Sequence, residues 1–235
     1  MTKESTELLK AQCSTLLKIF EELNPVQEAK KYDSEQLTGC IQKMCRCIII
    51  DKTECEDFLR WLDEHECYKS PASTKFHGNW EGGLCVHSLM VCVHALKFAS
   101  VFAETYLVSP AASVFDFTAE DIVISSIAHD FCKAGIYKVE FHNTKDIFGN
   151  WVKKAVYKVK PENRSLGHGN ESVLLLLESM PSLIKKRHVI EAVSRHMGFS
   201  DITETEKMNY SNFIENPLVL LIQTADQAAA AWWDC

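Results

Sequence analysis

The chain of 235 residues is 46% hydrophobic and carries 25 Lys and Arg against 32 Asp and Glu, a formal charge of -7. That length and apolar content supply a sizeable core, and the net acidity argues against a globally basic nucleic-acid surface; a local phosphate pocket stays open, because bound divalent cations reverse a local potential. The ten Cys are too dispersed for a cysteine-stapled mini-domain; with a polar start over residues 1–10 and no run long and uncharged enough to span a bilayer, a reducing cytoplasm and no membrane partner are expected.

Residues 1–70 read as an all-helical extension. An apolar-periodic stretch at 8–23 is interrupted by Asn24-Pro25, a second helix is expected near Ser34, and Phe58, Leu59 and Leu62 give residues 54–65 helical spacing. Cys45 and Cys47 are too close for a redox C-x-x-C pair, and Cys40 and Cys55 complete no zinc spacing, so these thiols read as small buried hydrophobes. Pro71 marks the boundary to a second region, 71–235.

The stretch 84–102 predicts a long helix with His87 and His94 nearly two turns apart. Thr118 with Asp121 is an acidic variant of the capping box ahead of Ile122, Val123, Ile124 and Ile127. The helix it starts should deliver His129 and Asp130 near its C-terminal end, about 100° apart. Residues 136–140 and 155–160 have strand character and predict a small two-stranded hairpin. Its Tyr137, Trp151 and Tyr157, with Lys153, Lys154, Lys158 and Lys160, have the chemistry to stack on a base and meet phosphate, but hydrophobic anchoring explains them more economically. Helical patterning resumes after His168-Gly169, and Pro181-Ser182 resets the chain before a helix carrying His188 and His196, with Gly198 as its stop. Asn216-Pro217 caps a last helix containing Asp226, and Trp232-Trp233 read as packing or an interface. The fold class expected is all-α, a helical domain with a small β-hairpin.

Six residues along this pattern are suited to metal: His87, His129, Asp130, His168, His196 and Asp226. None forms a short zinc-finger spacing, so a shared site has to be assembled by the fold. Imidazole and carboxylate ligands serve Mn, Fe, Mg, Ni or Zn without selecting among them. A dinuclear arrangement would place His87, His129, Asp130 and Asp226 around one ion, with Asp130 bridging to a second held by His168 and His196. His65, His94, His142 and His188 read as structural. The chain shows no Walker phosphate loop, dinucleotide-binding glycine fingerprint or Ser-His-Asp motif.

The ordered segments HGNWEGGLCVHS, HDFCKAG, GHGNES, RHMG and TADQAAAAW resemble the HD-domain superfamily of metal-dependent phosphohydrolases over roughly residues 71–235, leaving the N-terminal helices outside the match. The resemblance implies an HD-type helical bundle as the catalytic domain. It puts the initial metal His at His87, the defining pair at His129 and Asp130, the final Asp at Asp226, and the additional dinuclear-branch imidazoles at His168 and His196. HGNWEGG is similar to the segment preceding the first metal His in exonuclease-type HD domains, where the leading His, here His77, approaches substrate. A Lys three residues after the HD pair, Lys133, is similar to another recurring catalytic pattern; it would bind phosphate or stabilise developing charge, with solvation at the helix end as the alternative.

The implied activity is hydrolysis of a phosphate ester in a nucleotide, cyclic nucleotide or short oligonucleotide. One or two divalent ions would activate water, Asp130 would hold the ions and orient the hydroxide, and His77 or a metal-bound water would protonate the leaving group. The expected partner is a nucleotide or other phosphorylated small molecule, with short single-stranded nucleic acid as a further candidate; the sequence does not fix the oligomeric state. Two alternatives use the same chain differently: an HD-type diiron oxygenase, and a nonenzymatic nucleotide-binding or protein-interaction module involving the N-terminal helices.

Overall fold

The computed structural model describes residues 1–28, 31–112, 114–163 and 165–235. Helix α1 (Lys3–Leu23) begins ahead of its apolar stripe because Thr2 and Ser5 form a reciprocal capping box, and it ends where Asn24 turns left-handed at φ 43° before Pro25. A short pairing of β1 (Val26–Glu28) with β2 (Lys31–Tyr32) follows. It had no sequence signal, since strands this short show no alternation. Asp33 caps α2 (Ser34–Ile48) and Asp51 caps α3 (Lys52–Glu64). Leu9 and Leu16 of α1, Leu37 and Ile41 of α2 and Phe58 of α3 enter the same buried apolar cluster as the rest of the chain. The ten Cys are free thiols, all buried except Cys47; burial pushes Cys40 up to about 12, where it behaves as a hydrophobe.

Helices α1, α2, α5 (Ala119–Ala128) and α10 (Pro217–Trp233) pack against α4 (Gly83–Leu107). Every residue from Gly83 to Leu96 is buried, so this helix is apolar all round, as a core helix is. It corrects the expectation that no run could span a bilayer: α4 is long and apolar enough by length and composition, and 78% of its most apolar window is covered by the surrounding structure. A Cβ on Gly83 would stand 2.1 Å from the Gly78 carbonyl oxygen, so the absence of one lets the loop after His77 lie directly on the start of α4.

The Thr118–Asp121 capping box forms as expected at the head of α5. The hairpin is longer than the sequence indicated: β3 (Tyr137–Lys145) pairs antiparallel with β4 (Trp151–Val159), in register from Tyr137↔Val159 to Lys145↔Trp151. No residue of either strand is buried, and Trp151 is 71% exposed, so hydrophobic anchoring does not account for its outer rings.

The chain returns through α6 (His168–Ser179), a 3-10 turn at Pro181–Lys185 and α7 (Arg187–Ser194). His196 does not ride on this last helix as expected. The helix ends at Ser194, and in the turn beyond it the His196 Nδ1 takes up the Val193 carbonyl oxygen at 2.7 Å. Two short helices, α8 (Glu204–Met208) and α9 (Tyr210–Ile214), lead to α10, which Asn216 caps by accepting from the Leu218 N–H.

Asp121 does more than cap α5. Buried, it lies 2.9 Å from the Lys186 ammonium and 3.2 Å from His188 Nε2, which fastens the start of α5 to the start of α7. Burial would push its carboxyl up, but His188 and Lys186 outweigh burial and hold it at about 2. Replacing Asp121 by Asn removes a buried carboxylate from its pairs with Lys186 and His188, leaves Lys186 to Glu120, and should cost about 2 kcal/mol in urea unfolding at pH 7. The folded carboxyl lies below its ordinary 3.8, so its contribution is full above about pH 4 and fades as pH falls through 2. The gap between wild type and Asp121→Asn should close over that window; equal stabilities at pH 7 would contradict the assignment.

Candidate metal centre

Five separate parts of the chain, the end of α5 included, meet around the Asp130 carboxylate, which is 2% exposed. On one side, Asp130 Oδ2 lies 3.3 Å from His129 Nε2 and 3.7 Å from His87 Nε2, and His87 Nε2 is 3.1 Å from Asp226 Oδ1. On the other side, Asp130 Oδ1 lies 3.2 Å from His168 Nε2 and 3.5 Å from His196 Nε2. His87 comes from the buried first half of α4, Asp226 from α10, His168 from the first residue of α6, and His129 from the C-cap of α5. Helices α6 and α7 approach closely because residue 169 is Gly: a Cβ there would stand 2.1 Å from the Ser194 carbonyl oxygen. That approach brings His168 to the turn carrying His196.

The imidazoles are oriented by main-chain carbonyls. Nδ1 of His87 lies 2.8 Å from the Cys235 oxygen, and Nδ1 of His129 lies 2.7 Å from the Ser126 oxygen. His196 uses Val193 in the same way. A carbonyl oxygen only accepts, so each Nδ1 donates and each ring turns its Nε2 to the centre. This is how metal-binding histidines are commonly fixed. Two such nitrogens, on His87 and His129, face each other at 3.1 Å with carboxylate oxygens alongside, an arrangement that a cation between them relieves. Across the carboxylate, Asp130 Oδ1, His168 Nε2 and His196 Nε2 are buried polar atoms with no aligned hydrogen-bond partner among the described residues. Buried polar atoms turned toward one another without an aligned hydrogen bond fit a site for a positive ligand. The buried His and Asp cluster therefore has the donor set and spacing for one or two divalent ions.

The electrostatics agree. Burial would raise the Asp130 carboxyl, but Lys133 and His129 hold it well below the usual range. Asp226 is likewise pushed up by burial and brought down, on balance, by His87. The sequence expectation that Lys133 could be solvated at a helix end is corrected: it is 8% exposed, and its ammonium sits 2.6 Å from Asp130 Oδ2. A 3-10 turn at Phe131–Lys133 explains the contact, since residues three apart eclipse in that geometry.

Asp130, Lys133, His77, His168, His196 and Asp226 line one open cavity of about 570 Å³. His77 packs its ring 5.1 Å from that of His87, and burial foremost lowers it to about 4, so it is neutral at pH 7. The remaining histidines stand elsewhere. His94 bonds the Met90 carbonyl near Trp232 and Trp233, His65 stacks on Trp61, His142 lies on the hairpin and His188 joins Asp121. Sequence reasoning missed Cys132, whose thiol shares ligand distance with Asp130 and His168. Its position two residues after Asp130 was the available signal. The Cys235 carbonyl behind His87 had none, being main chain.

In the metal-free protein the neighbouring Asp130 carboxylate, foremost, raises His168 to about 10, so its ring carries a proton at neutral pH. An ion entering at His168 has to displace that proton. Affinity at this end should therefore rise about tenfold per unit from pH 6 to 9. Chelator competition across that range checks it, and a pH-independent affinity would contradict it. Compared with protein-family models, with curated proteins and with solved structures, the chain matches none.

Proposed function

We propose that this protein is a metal-dependent phosphohydrolase or phosphodiesterase of the HD-domain type, acting on a nucleotide or short oligonucleotide. The observation that carries the reading is the Asp130 carboxylate with imidazoles on both of its oxygens and the Lys133 ammonium beside it, at the wall of an open cavity. On this reading, residues 71–235 form the catalytic unit, and 1–70 an extension whose helices brace α4.

His87, His129, Asp226 and Asp130 Oδ2 are assigned to one ion, and His168, His196 and Asp130 Oδ1 to a second. Divalent ions bound there lower the pKa of water and neutralise charge on a phosphoryl group. Asp130 would offer one oxygen to each position. Lys133 adds a fixed positive charge at the cavity wall, where a phosphate oxygen gains from it as charge develops. A diiron oxygenase would use the same donors, but a buried ammonium in the wall supports an anionic substrate. His77, held neutral by its burial, is suited to positioning the substrate through a hydrogen bond; a group at about 4 is a weak proton reservoir at pH 7. The cavity of about 570 Å³ matches a mononucleotide-sized ligand.

His129→Ala and Asp130→Ala should each lower bound metal and phosphate release roughly a hundredfold or more, whereas His94→Ala should leave both near wild type. Lys133→Ala should keep its metal and lose catalytic efficiency. Elemental analysis beside phosphate release on a nucleotide panel, with circular dichroism to confirm folding, separates these cases. Turnover preserved in both ligand variants would overturn the assignment.

A further inference from the structure

We infer that one face of the β3–β4 hairpin is a docking track for a short single-stranded nucleic acid leading to the metal cavity. The cleavage of that strand rests on the phosphodiesterase reading; its binding does not.

Residues directly opposite in an antiparallel pair share a face. The observed register therefore gathers Tyr137, Phe141 and Lys145 of β3 with Trp151, Lys153 and Tyr157 of β4 on one side. The base of this face, the Tyr137–Val159 pair, lines the cavity that also holds Asp130, His168 and His196. Its outer half is open: Phe141 is 68% and Trp151 71% exposed, and the Lys145 ammonium lies over the Trp151 ring, 5.3 Å from its centroid. Strands of nine residues carry this surface over roughly 30 Å.

The charge on the face selects the partner. Its strand positions include no carboxylate. Glu140, the one acid within the strands, lies on the opposite side, paired with Lys138 and Lys158. Asp146, in the connecting turn, accepts from the Phe148 and Asn150 N–H groups. Lys145 and Lys153 enter no salt bridge among the described residues. The hairpin thus carries Lys138, Lys145, Lys153, Lys154 and Lys158 against Glu140 and Asp146, a net +3 in a chain of -7.

An apolar protein partner would strip water from unpaired ammoniums, and a second copy meeting it hairpin to hairpin would bring like charge against like. A nucleic-acid strand meets both features, with bases for the rings and phosphates for the lysines. Beside Tyr137 and Tyr157, a smaller pocket is lined by Glu66 and Glu81 against one cation, Lys69, so its balance is negative and the metal cavity is the side that accepts phosphate.

The test is fluorescence anisotropy of a fluorescein-labelled twelve-nucleotide thymidine strand with a cleavage-resistant phosphorothioate backbone, titrated with the metal-loaded full chain. Phe141→Ala/Trp151→Ala should weaken binding about tenfold or more. Lys145→Gln/Lys153→Gln should weaken it and lower the slope of log affinity against log salt by about 1.4, roughly 0.7 for each phosphate that no longer meets an ammonium. Both variants should keep wild-type metal content and wild-type hydrolysis of bis(p-nitrophenyl) phosphate, which is too small to reach the hairpin. Strand binding without hydrolysis of that small diester in the wild type supports the track and sinks the phosphodiesterase reading. Absent binding, or equal binding by wild type and variants, overturns the track. So does sedimentation showing that the substitutions abolish a dimer while strand binding is unchanged.

Discussion

A carboxylate buried to 2% exposure has to be surrounded by positive charge or donors, and the fold around Asp130 is arranged to meet that demand. Lys133 reaches it through a 3-10 turn, while four imidazoles and Asp226 arrive from α4, α6, α10, the end of α5 and the turn after α7. Lys133 supplies one charge to one oxygen, and the other oxygen faces the His168 and His196 imidazoles. On the proposed assignment, ions complete what the side chains leave open. The fold then serves mainly to hold negatively charged and lone-pair-bearing groups closer than they would stay without a cation.

Rigid support is correspondingly close. Main-chain oxygens of Cys235, Ser126 and Val193 fix three ring orientations, and the Ser126 and Val193 peptide carbonyls cannot change their role with pH as a side chain can. Gly83 and Gly169 let backbone pack against backbone next to His87 and His168. The buried Asp121 cluster joins α5 to α7 at the ends away from the site, so the two elements that end beside the cavity are tied at their starts.

Much of this was legible in the sequence where local chemistry decides it. The capping residues Thr118 and Asn216 announced α5 and α10, and the order of His87, His129-Asp130, His168, His196 and Asp226 announced a cluster before any fold was known. What escaped was set by tertiary contact. The end of α7 at Ser194, which puts His196 in a turn, depends on how α6 and α7 approach, and the carbonyl behind His87 carries no residue-type signal. The burial of Lys133 followed from a 3-10 turn that no pattern marks. The hairpin was recognisable, but alternation alone does not tell an anchored face from an open one; exposure of Phe141 and Trp151 did.

Anomalous diffraction at the absorption edge of the bound metal, with elemental analysis of the same active preparation, tests the central claim most directly. Two peaks on opposite sides of the Asp130 carboxylate are predicted, one contacted by His87, His129 and Asp226 and the other by His168 and His196. A single fully occupied ion remote from both His168 and His196 would contradict the bridged pair.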